Sequence, residues 1–295
     1  MNIFISVSSS IESLMIFLAT LHIRLCIDAC IMPEDLILIK FGGSLITNKS
    51  KTCSPKYKII DGLCKAIGDI LLQGKKIILI HGAGSFGHMK AKKWNISEGI
   101  DDLNKEFQYA AIKEIRSDME KLNKIIISNL AHYSIDSVVY SPHKNGKGLG
   151  IDYFLNKNFF ELVKKNNVVV SYGDVVDCDK DQKFGILSGD DLCELISNKL
   201  KPSHVIFAID GALGLIDDPN LPGGGNLIKE YTIGTKIVTN EVSNDVTGGM
   251  NLKLMRAKNC FKMGSRVSII NGNNPQMIIN AINGKEFIGT EFFNQ

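Results

Sequence analysis

A glycine-rich segment, HGAGSFGH (81–88), follows an apolar run and carries a histidine at each end. Glycine loops of this kind present backbone N–H groups that bind oxyanions. Three lysines, Lys40, Lys49 and Lys253, stand in or beside other glycine-rich segments. Transfer of a phosphoryl group depends on positioning and charge neutralisation, which lysines, glycine N–H groups and helix N-termini supply. These residue types therefore favour a site for phosphorylated ligands.

The segment also contains a literal G-x-G-x-x-G, formed by Gly82, Gly84 and Gly87, and Asp102 lies about 20 positions beyond its start. A Rossmann loop joins the first strand of its fold to the first helix. Here the loop follows the second apolar run, and Asp102 opens a predicted helix instead of ending a second strand. We therefore reject the dinucleotide interpretation. The Walker pattern GxxxxGK[ST] does not occur in the sequence.

Five apolar runs rich in Ile, Val or Leu each end in a glycine or small polar cluster. They are LILIKFGGS (36–44), IILIHGAGS (77–85), VVVSYGDV (168–175), VIFAIDGA (205–212) and VSIINGNN (267–274). Continuous apolar runs of this length are typical of strands covered on both faces, so they predict a mostly parallel sheet with flanking helices. The polar clusters converge on the carboxyl edge, where open α/β sheets bind ligands.

Helices are predicted between these runs. Residues 101–131 carry apolar residues at spacings of three and four, which predicts one long amphipathic helix. Its apolar face consists of Leu103, Phe107, Ala111, Ile115, Met119, Leu122, Ile126 and Leu130. Residues 188–200 begin with a serine and two aspartates, which favour a helix N-terminus. Another helix is predicted over 247–263, and 217–226 are predicted to be a surface loop.

The composition is that of a cytoplasmic globular protein. The chain has 295 residues, 44% of them hydrophobic, and a formal net charge of +3. Because the basic residues are spread along the chain, nucleic acid is not predicted as a partner. Seven cysteines occur without a C-x-x-C pattern, which favours unpaired thiols over a zinc site or a disulfide framework. Since no linker divides residues 32–295, a single domain is predicted there.

Residues 1–31 differ from the rest and are predicted to lie outside the fold. Their apolar run, SLMIFLATL (13–21), is shorter than the roughly 20 residues that cross a bilayer. No basic residue precedes that run, unlike in a signal peptide. We favour translation from Met32. An additional helix and a membrane anchor or targeting segment are the alternatives, and no membrane partner is predicted.

Six segments in order resemble the amino acid kinase superfamily. They are KFGGSLITNK (40–49), HGAGSFGH (81–88), SYGDV (171–175), SGDD (188–191), NDVTGGM (244–250) and INGN (270–273). The GSFGH ending makes the chain most similar to the isopentenyl phosphate kinases, and the resemblance extends from about residue 36 to FIGT (287–290). It implies a three-layer αβα sandwich, usually a homodimer. It also implies phosphorylation of isopentenyl phosphate by Mg²⁺ and ATP, which gives isopentenyl diphosphate for isoprenoid biosynthesis.

For catalysis and for binding of the acceptor, the resemblance assigns roles to five positions. Lys49 would stabilise the charge that develops on the transferred phosphoryl group. His88 would hydrogen-bond the phosphate of the acceptor, to which Ala83 and Gly189 would offer backbone N–H groups. Asp190 would hold the lysines in place.

The other matching positions are assigned to ATP, and no protein side chain is assigned to the metal. They are Lys40, Phe41, Gly42, Gly43, Ser44, Gly84, Asp210, Leu215, Gly249 and Lys253. The first five of these, with the last two, would lie along the phosphates. Gly84 would touch ATP, and the segment 210–215 would border the nucleotide. Lys40 also belongs to the catalytic group, because a lysine in an apolar strand is costly to bury unless it meets an anion.

Two positions depart from the family pattern. Ala83 stands where the family has a glycine, which is tolerable if its φ angle is negative. Ala212 stands in place of an aspartate, which leaves the nucleotide contacts of 210–215 open. His81, at the end of its strand, is predicted to brace the glycine loop through the backbone rather than to touch substrate.

Two other functions stay open at this point. One is a kinase of the same fold that acts on a phosphonate or a carboxylate. The other is a non-catalytic nucleotide-binding sensor, although the three lysines, His88 and Asp190 are all retained. The apolar face at Ile126, Ile127 and Leu130 is a candidate lining for a hydrocarbon tail, but such spacing is also that of an ordinary core.

Overall fold

A central β-sheet organises the chain. The computed structural model describes residues 35–179, 181–218, 220–221, 224–235 and 249–294. In these residues the strands are β1 (Leu36–Phe41), β2 (Lys76–His81), β3 (Val138–Val139), β4 (Val168–Tyr172), β5 (Asp174–Asp177), β6 (Phe184–Leu187), β7 (His204–Ile209), β8 (Glu230–Thr232), β9 (Arg266–Asn271) and β10 (Gly289–Phe293). Eight strands form one sheet in the order β3-β4-β2-β1-β7-β9-β10-β8, and β5 and β6 form a separate hairpin.

The five apolar runs of the sequence correspond to β1, β2, β4, β7 and β9. All neighbours in the large sheet are parallel except the antiparallel pair β9 and β10, which confirms the predicted mostly parallel sheet. Every residue of β1, β4 and β7 is buried, as strands covered on both faces require. The sequence pattern does not predict the remaining strands, because they are short and lack a continuous apolar run.

Helices cover both faces of this sheet. They are α1 (Gly43–Ile46), α2 (Tyr57–Leu71), α3 (His88–Lys93), α4 (Lys105–His132), α5 (Pro142–Asn145), α6 (Lys157–Lys165), α7 (Gly189–Leu200), α8 (Gly249–Lys262) and α9 (Pro275–Ile282). Helices α2, α4 and α9 share a core with Ile37, Ile39 and Phe41 of β1. Helices α7 and α8 pack together on the other side. Because side chains alternate along a strand, Lys40 points toward α7 and α8.

Helix α7 begins where the sequence predicts. Ser188 caps it by accepting a hydrogen bond from the backbone N–H of Asp191, whose side chain in turn accepts one from the N–H of Ser188. This reciprocal capping box satisfies two backbone donors at the start of the helix. It also sets the position of the first turn, where Asp190 lies.

The long helix α4 starts later than the sequence predicts. Leu103 precedes the helix and is 92% exposed, and Phe107 is 59% exposed and stacks on Trp94 at 5.2 Å between ring centroids. The prediction that Leu103 lies on the helix is therefore wrong, and Phe107 lies on the helix but outside its buried part. The side chain of Asp101 accepts hydrogen bonds from the N–H of Leu103 and from the Asn104 amide, and this local turn competes with helical bonding.

The remaining sequence predictions concern the cysteines, membrane-spanning helices and residues 1–31. The described cysteines are all unpaired, and four of the five are buried, which confirms the expectation of free thiols for this part of the chain. Among the described helices, none is both long and apolar enough to cross a bilayer. The predictions about 1–31 fall outside the described residues.

Candidate active site

A cleft of about 750 Å³ opens at the carboxyl edge of the parallel strands. The loops after β1, β2, β4 and β7 and the starts of α3, α7 and α8 form its walls. It brings together most residues that the sequence singles out: Lys40, Gly42, Gly43, Ser44, Lys49, Ala83, His88, Gly189, Asp190, Asp210 and Lys253. Parallel α/β sheets bind ligands at this edge, in keeping with the sequence prediction.

At the base of the cleft, Asp190 forms a buried ion-paired triad with two lysines. Its carboxylate lies 2.9 Å from Nζ of Lys40 and 3.1 Å from Nζ of Lys253. Lys40 comes from β1, Asp190 from the first turn of α7 and Lys253 from the start of α8. One carboxylate facing two ammonium groups leaves a net positive charge, and a buried excess charge favours a ligand of opposite sign.

The members of this triad differ in proton affinity. Burial disfavours the charged form of each, but the two lysines outweigh it at Asp190 and lower its pKa to about 2. Burial likewise opposes the charge of Lys40, yet pairing with Asp190 raises the pKa of this lysine overall. At Lys253 burial dominates and, with repulsion from Lys40, lowers the pKa to about 8. Lys253 is therefore the member of the triad that titrates just above neutral pH.

The loops after β1 and β2 approach each other closely through glycines. A Cβ at Gly82 would stand 2.7 Å from the backbone nitrogen of Gly43, and one at Gly43 would clash with Gly84. Gly84 also has a φ of +50°, which side-chain-bearing residues rarely adopt. Ala83, by contrast, has a φ of −76°, so the methyl group that departs from the family pattern causes no backbone strain. The glycines thus allow the two loops to line one cleft.

His81 braces the glycine loop, as the sequence predicts. Its Nδ1 lies 3.2 Å from the carbonyl oxygen of Gly82 and its Nε2 lies 3.3 Å from Oδ1 of Asn123. The ring stacks on Tyr172 with centroids 5.2 Å apart. Burial lowers the pKa of His81 to about 4, so the imidazole is neutral at physiological pH and acts as a structural element.

His88 and Lys49 reach the cleft from two segments that are bonded to each other. His88 is the partly buried first residue of α3, and Lys49 is exposed between α1 and α2. The N–H of Ser85 donates to Oγ1 of Thr47 at 2.9 Å, and the N–H of Cys53 donates to the carbonyl of Ser85 at 3.1 Å. These bonds hold the segment of Lys49 against the loop that leads to His88.

The wall of the cleft beside α3 and α4 is apolar. It is lined by Ala91, Ile115, Met119, Val175 and Ile186. The sequence suggests Ile126, Ile127 and Leu130 as the apolar lining, but Ile126 and Leu130 are fully buried in the core and Ile127 packs beside it. The helix is the one predicted, whereas the residues that reach the cleft lie nearer its N-terminus.

Three of the positions assigned to ATP, Phe41, Gly84 and Leu215, are outside the lining of the cleft. Phe41 is fully buried in the core on the face of β1 opposite Lys40. Leu215 is 1% exposed, and its N–H donates to Oγ1 of Thr290 at 2.8 Å. Gly84 is buried between the two glycine loops, and Gly249 is the first residue of α8. Their assignment to the nucleotide stays a prediction.

The structure adds Lys56, which the sequence analysis does not single out. Its Nζ donates to the carbonyl oxygen of Ser44 and to Oδ2 of Asp210, both at 2.8 Å. Asn273 donates to the other carboxylate oxygen of Asp210 at 2.8 Å. Although burial opposes its charge, these bonds lower the pKa of Asp210. A single lysine before a helix has no sequence signature that would reveal such a contact.

The chain is similar to a known protein family, to curated relatives and to a solved structure. The model of the amino acid kinase family matches residues 35–271. An isopentenyl phosphate kinase of Methanocaldococcus jannaschii is 33% identical over 273 residues, which cover 87% of this chain and 98% of that protein. The isopentenyl phosphate kinase of Thermoplasma acidophilum is 30% identical over 261 residues, with coverages of 86% and 99%. An X-ray structure of isopentenyl phosphate kinase superposes with a TM-score of 0.75 at 25% identity, over 88% of this chain and 100% of that one.

Proposed function

Because the chain belongs to the amino acid kinase family, we propose that it transfers the γ-phosphoryl group of ATP to isopentenyl phosphate. The products are isopentenyl diphosphate, an isoprenoid precursor, and ADP. Isopentenyl phosphate kinases are similar to this chain over nearly their whole length. The observation that carries the proposal is a cleft with a cationic base and one apolar wall. That combination suits an acceptor with a phosphate head and a short hydrocarbon tail.

A panel of acceptors tests this proposal. With labelled ATP, isopentenyl phosphate is expected to be phosphorylated far faster than acetylglutamate, UMP or aspartate. A polar tail would leave the apolar wall formed by Ile115, Met119 and Val175 without a matching partner, and would lose its own hydration there. A preference for a carboxylate acceptor would contradict the proposal, as would ATP binding without turnover of any acceptor.

We assign the steps as follows. An oxygen of the acceptor phosphate forms a bond to the γ-phosphorus of ATP, while the bond from that phosphorus to the β-phosphate oxygen breaks and ADP departs. His88 and the N–H groups of Ala83 and Gly189 hold the acceptor phosphate, and Lys40 and Lys253 hold the phosphates of ATP. The acceptor is already anionic, so its attack requires no general base, and catalysis rests on positioning and charge neutralisation.

Magnesium is proposed to accompany the nucleotide. Among the described residues, no group of three or more His, Cys, Asp or Glu side chains is placed to hold a metal ion. In the cleft, Asp190 is paired with two lysines and Asp210 with Lys56. This set fits Mg²⁺ held mainly by phosphate oxygens and water. When bound, the ion neutralises charge on the β- and γ-phosphates.

Replacing His88 by alanine is expected to raise KM for isopentenyl phosphate by about tenfold to a hundredfold, because a hydrogen bond to a charged phosphate is lost. KM for ATP should change by less than about threefold, since His88 is assigned to the acceptor. Steady-state kinetics with each substrate varied in turn measure both constants. His132→Ala, at the exposed end of α4, is the matched control. Equal increases in the two KM values would contradict the role of His88.

The low pKa of Lys253 predicts a loss of ATP affinity in mild alkali. Below its pKa of about 8 the side chain is protonated and binds phosphate, and above that pH it loses its charge. The constant kcat/KM for ATP, which reports the free enzyme, should therefore fall as pH rises through about 8. Lys253→Arg should move the fall to higher pH, because a guanidinium stays charged. A pH profile shared by the two proteins would contradict this assignment.

The proposal also covers the domain organisation, the cellular location and the oligomeric state. From the resemblance, we propose that 32–295 act as a single domain, that the protein is cytoplasmic and that it forms a homodimer. Light scattering coupled to size-exclusion chromatography tests the oligomeric state. A monomer at micromolar concentration would contradict the last of these features.

A further inference from the structure

We propose that Lys56 is a positioning residue for the nucleotide. It neutralises Asp210 and fixes that carboxylate against the loop after β1, so that an anionic ligand can bind beside it. This inference rests on the proposed function, because it takes ATP as the ligand. It adds a residue that does not itself line the cleft and acts through two residues that do, Ser44 and Asp210.

The hydrogen bonds of Lys56 and Asp210 join the segments that follow three strands, β1, β7 and β9, at the carboxyl edge of the sheet. Lys56 immediately precedes α2, and its Nζ lies 2.8 Å from both the carbonyl oxygen of Ser44, after β1, and Oδ2 of Asp210, after β7. Asn273, after β9, donates to Oδ1 of Asp210. The side chains of Lys56 and Asp210 are 31% and 27% exposed. The pair is therefore half-buried and is screened less than a surface ion pair.

The negative charge of Asp210 explains why a cation is required at position 56. Asp210 lines a cleft whose other described carboxylates already have partners: Asp190 pairs with two lysines, and Asp174 contacts His143. An unpaired carboxylate at Asp210 would repel the phosphates of ATP, since like charges at short range disfavour binding. With Lys56 in place, the pair has no net charge, and the carboxylate oxygens are directed toward Lys56 and Asn273.

The backbone around Lys56 is held independently of its side chain. The N–H of Lys56 donates to the carbonyl of Ile46 at 2.8 Å, and Thr47 and Pro55 form an isolated β-bridge. These bonds close the segment that carries Lys49, and a side-chain substitution leaves them in place. Removal of the ammonium group should therefore change the nucleotide side of the cleft without displacing Lys49.

The experiment compares Lys56→Met with a matched control, Lys75→Met. Lys75 pairs with Asp35 at 3.4 Å, its side chain is 28% exposed, and it precedes β2 at the opposite edge of the sheet. Displacement of a fluorescent ATP analogue measures affinity, and steady-state kinetics measure kcat and both KM values. For Lys56→Met we expect ATP affinity about tenfold weaker, with kcat and KM for isopentenyl phosphate within about twofold of wild type. Lys75→Met should match wild type.

Further variants test whether ATP affinity depends on the charge of Lys56 or only on its structural contacts. Lys56→Arg should retain wild-type ATP affinity, because it keeps the cation. Adding Asp210→Asn to Lys56→Met should restore most of the lost affinity, because the double variant has no uncompensated carboxylate. A merely structural contact would not be rescued by removing its partner. Lys56→Gln, which keeps a polar side chain but loses the charge, should also bind ATP about tenfold more weakly, which tests the charge argument even if Lys56→Met unfolds.

Several results would overturn the inference. They are wild-type ATP affinity in Lys56→Met or Lys56→Gln, equal weakening of both substrates, and no rescue in the double variant. The proposed function is tested separately by the acceptor panel. A wild-type protein that binds ATP but phosphorylates no acceptor contradicts the proposed function, while the binding measurements still decide the role of Lys56.

Discussion

Replacing Lys49 by methionine is expected to lower kcat by about a thousandfold and to leave both KM values within about threefold of wild type. Lys49 is exposed on the segment between α1 and α2 and reaches the cleft from the side that carries His88. We assign its charge to the phosphoryl group during transfer, when charge is spread over the three equatorial oxygens between the acceptor and the departing ADP. Such a contact contributes to the transition state more than to substrate binding. Continuous measurement of ADP release at saturating substrates gives kcat directly.

Lys51→Met provides the control for this substitution. Lys51 is exposed on the same segment but does not line the cleft, so its loss should leave kcat unchanged. Lys49→Arg should recover part of the rate, because the charge is kept while its position changes. If Lys49→Met raised KM for either substrate without lowering kcat, Lys49 would be a ground-state binding residue instead.

Replacing Asp190 by asparagine is expected to impair both folding and catalysis. The change leaves Lys40 and Lys253 facing each other without the carboxylate that lies between them. Breaking a buried ion pair costs about 3 kcal/mol or more in the free energy of unfolding, because an uncompensated charge stays buried. We also expect kcat/KM for ATP to fall by about a hundredfold, since the lysines lose the group that orients them. Urea unfolding and steady-state kinetics measure the two effects.

A substitution at the neighbouring residue, Asp191, separates the effect on stability from the effect on catalysis. Asp191→Asn removes the ion pair with Arg256 but leaves Asp190 with its two lysines. This variant should lose stability with little change in kcat/KM for ATP. If Asp190→Asn were as stable as wild type, the triad would not carry the buried charge assigned to it. If both variants lost activity equally, the effect would belong to the start of α7 and not to the lysines.

The parts of the fold that follow from the sequence are those with a local signal. The five long strands are predicted because an unbroken apolar run reports burial on both faces. The start of α7 is predicted because a serine and two aspartates precede its apolar residues, and the structure confirms it with a capping box of Ser188 and Asp191. The hairpin of β5 and β6 and the edge strands escape prediction, since pairing between short segments depends on register and packing more than on composition. The late start of α4 was missed because the turn at Asp101 outweighs the apolar spacing.

The sequence by itself determined which polar loops meet at one sheet edge, and it identified Lys40, Lys49, His88 and Asp190 as candidates. It did so because glycine clusters after apolar strands and the order of family motifs are both local features of the chain. Only the tertiary structure decided which residues contact one another across the sheet. Lys56 contacts Asp210, 154 positions away. Ile115, Met119 and Ile126 of α4 all belong to the core, but only the first two of them also line the cleft. Periodicity fixes the face on which a side chain lies, whereas its partner depends on how helices and loops pack across the sheet, and no local spacing encodes that arrangement.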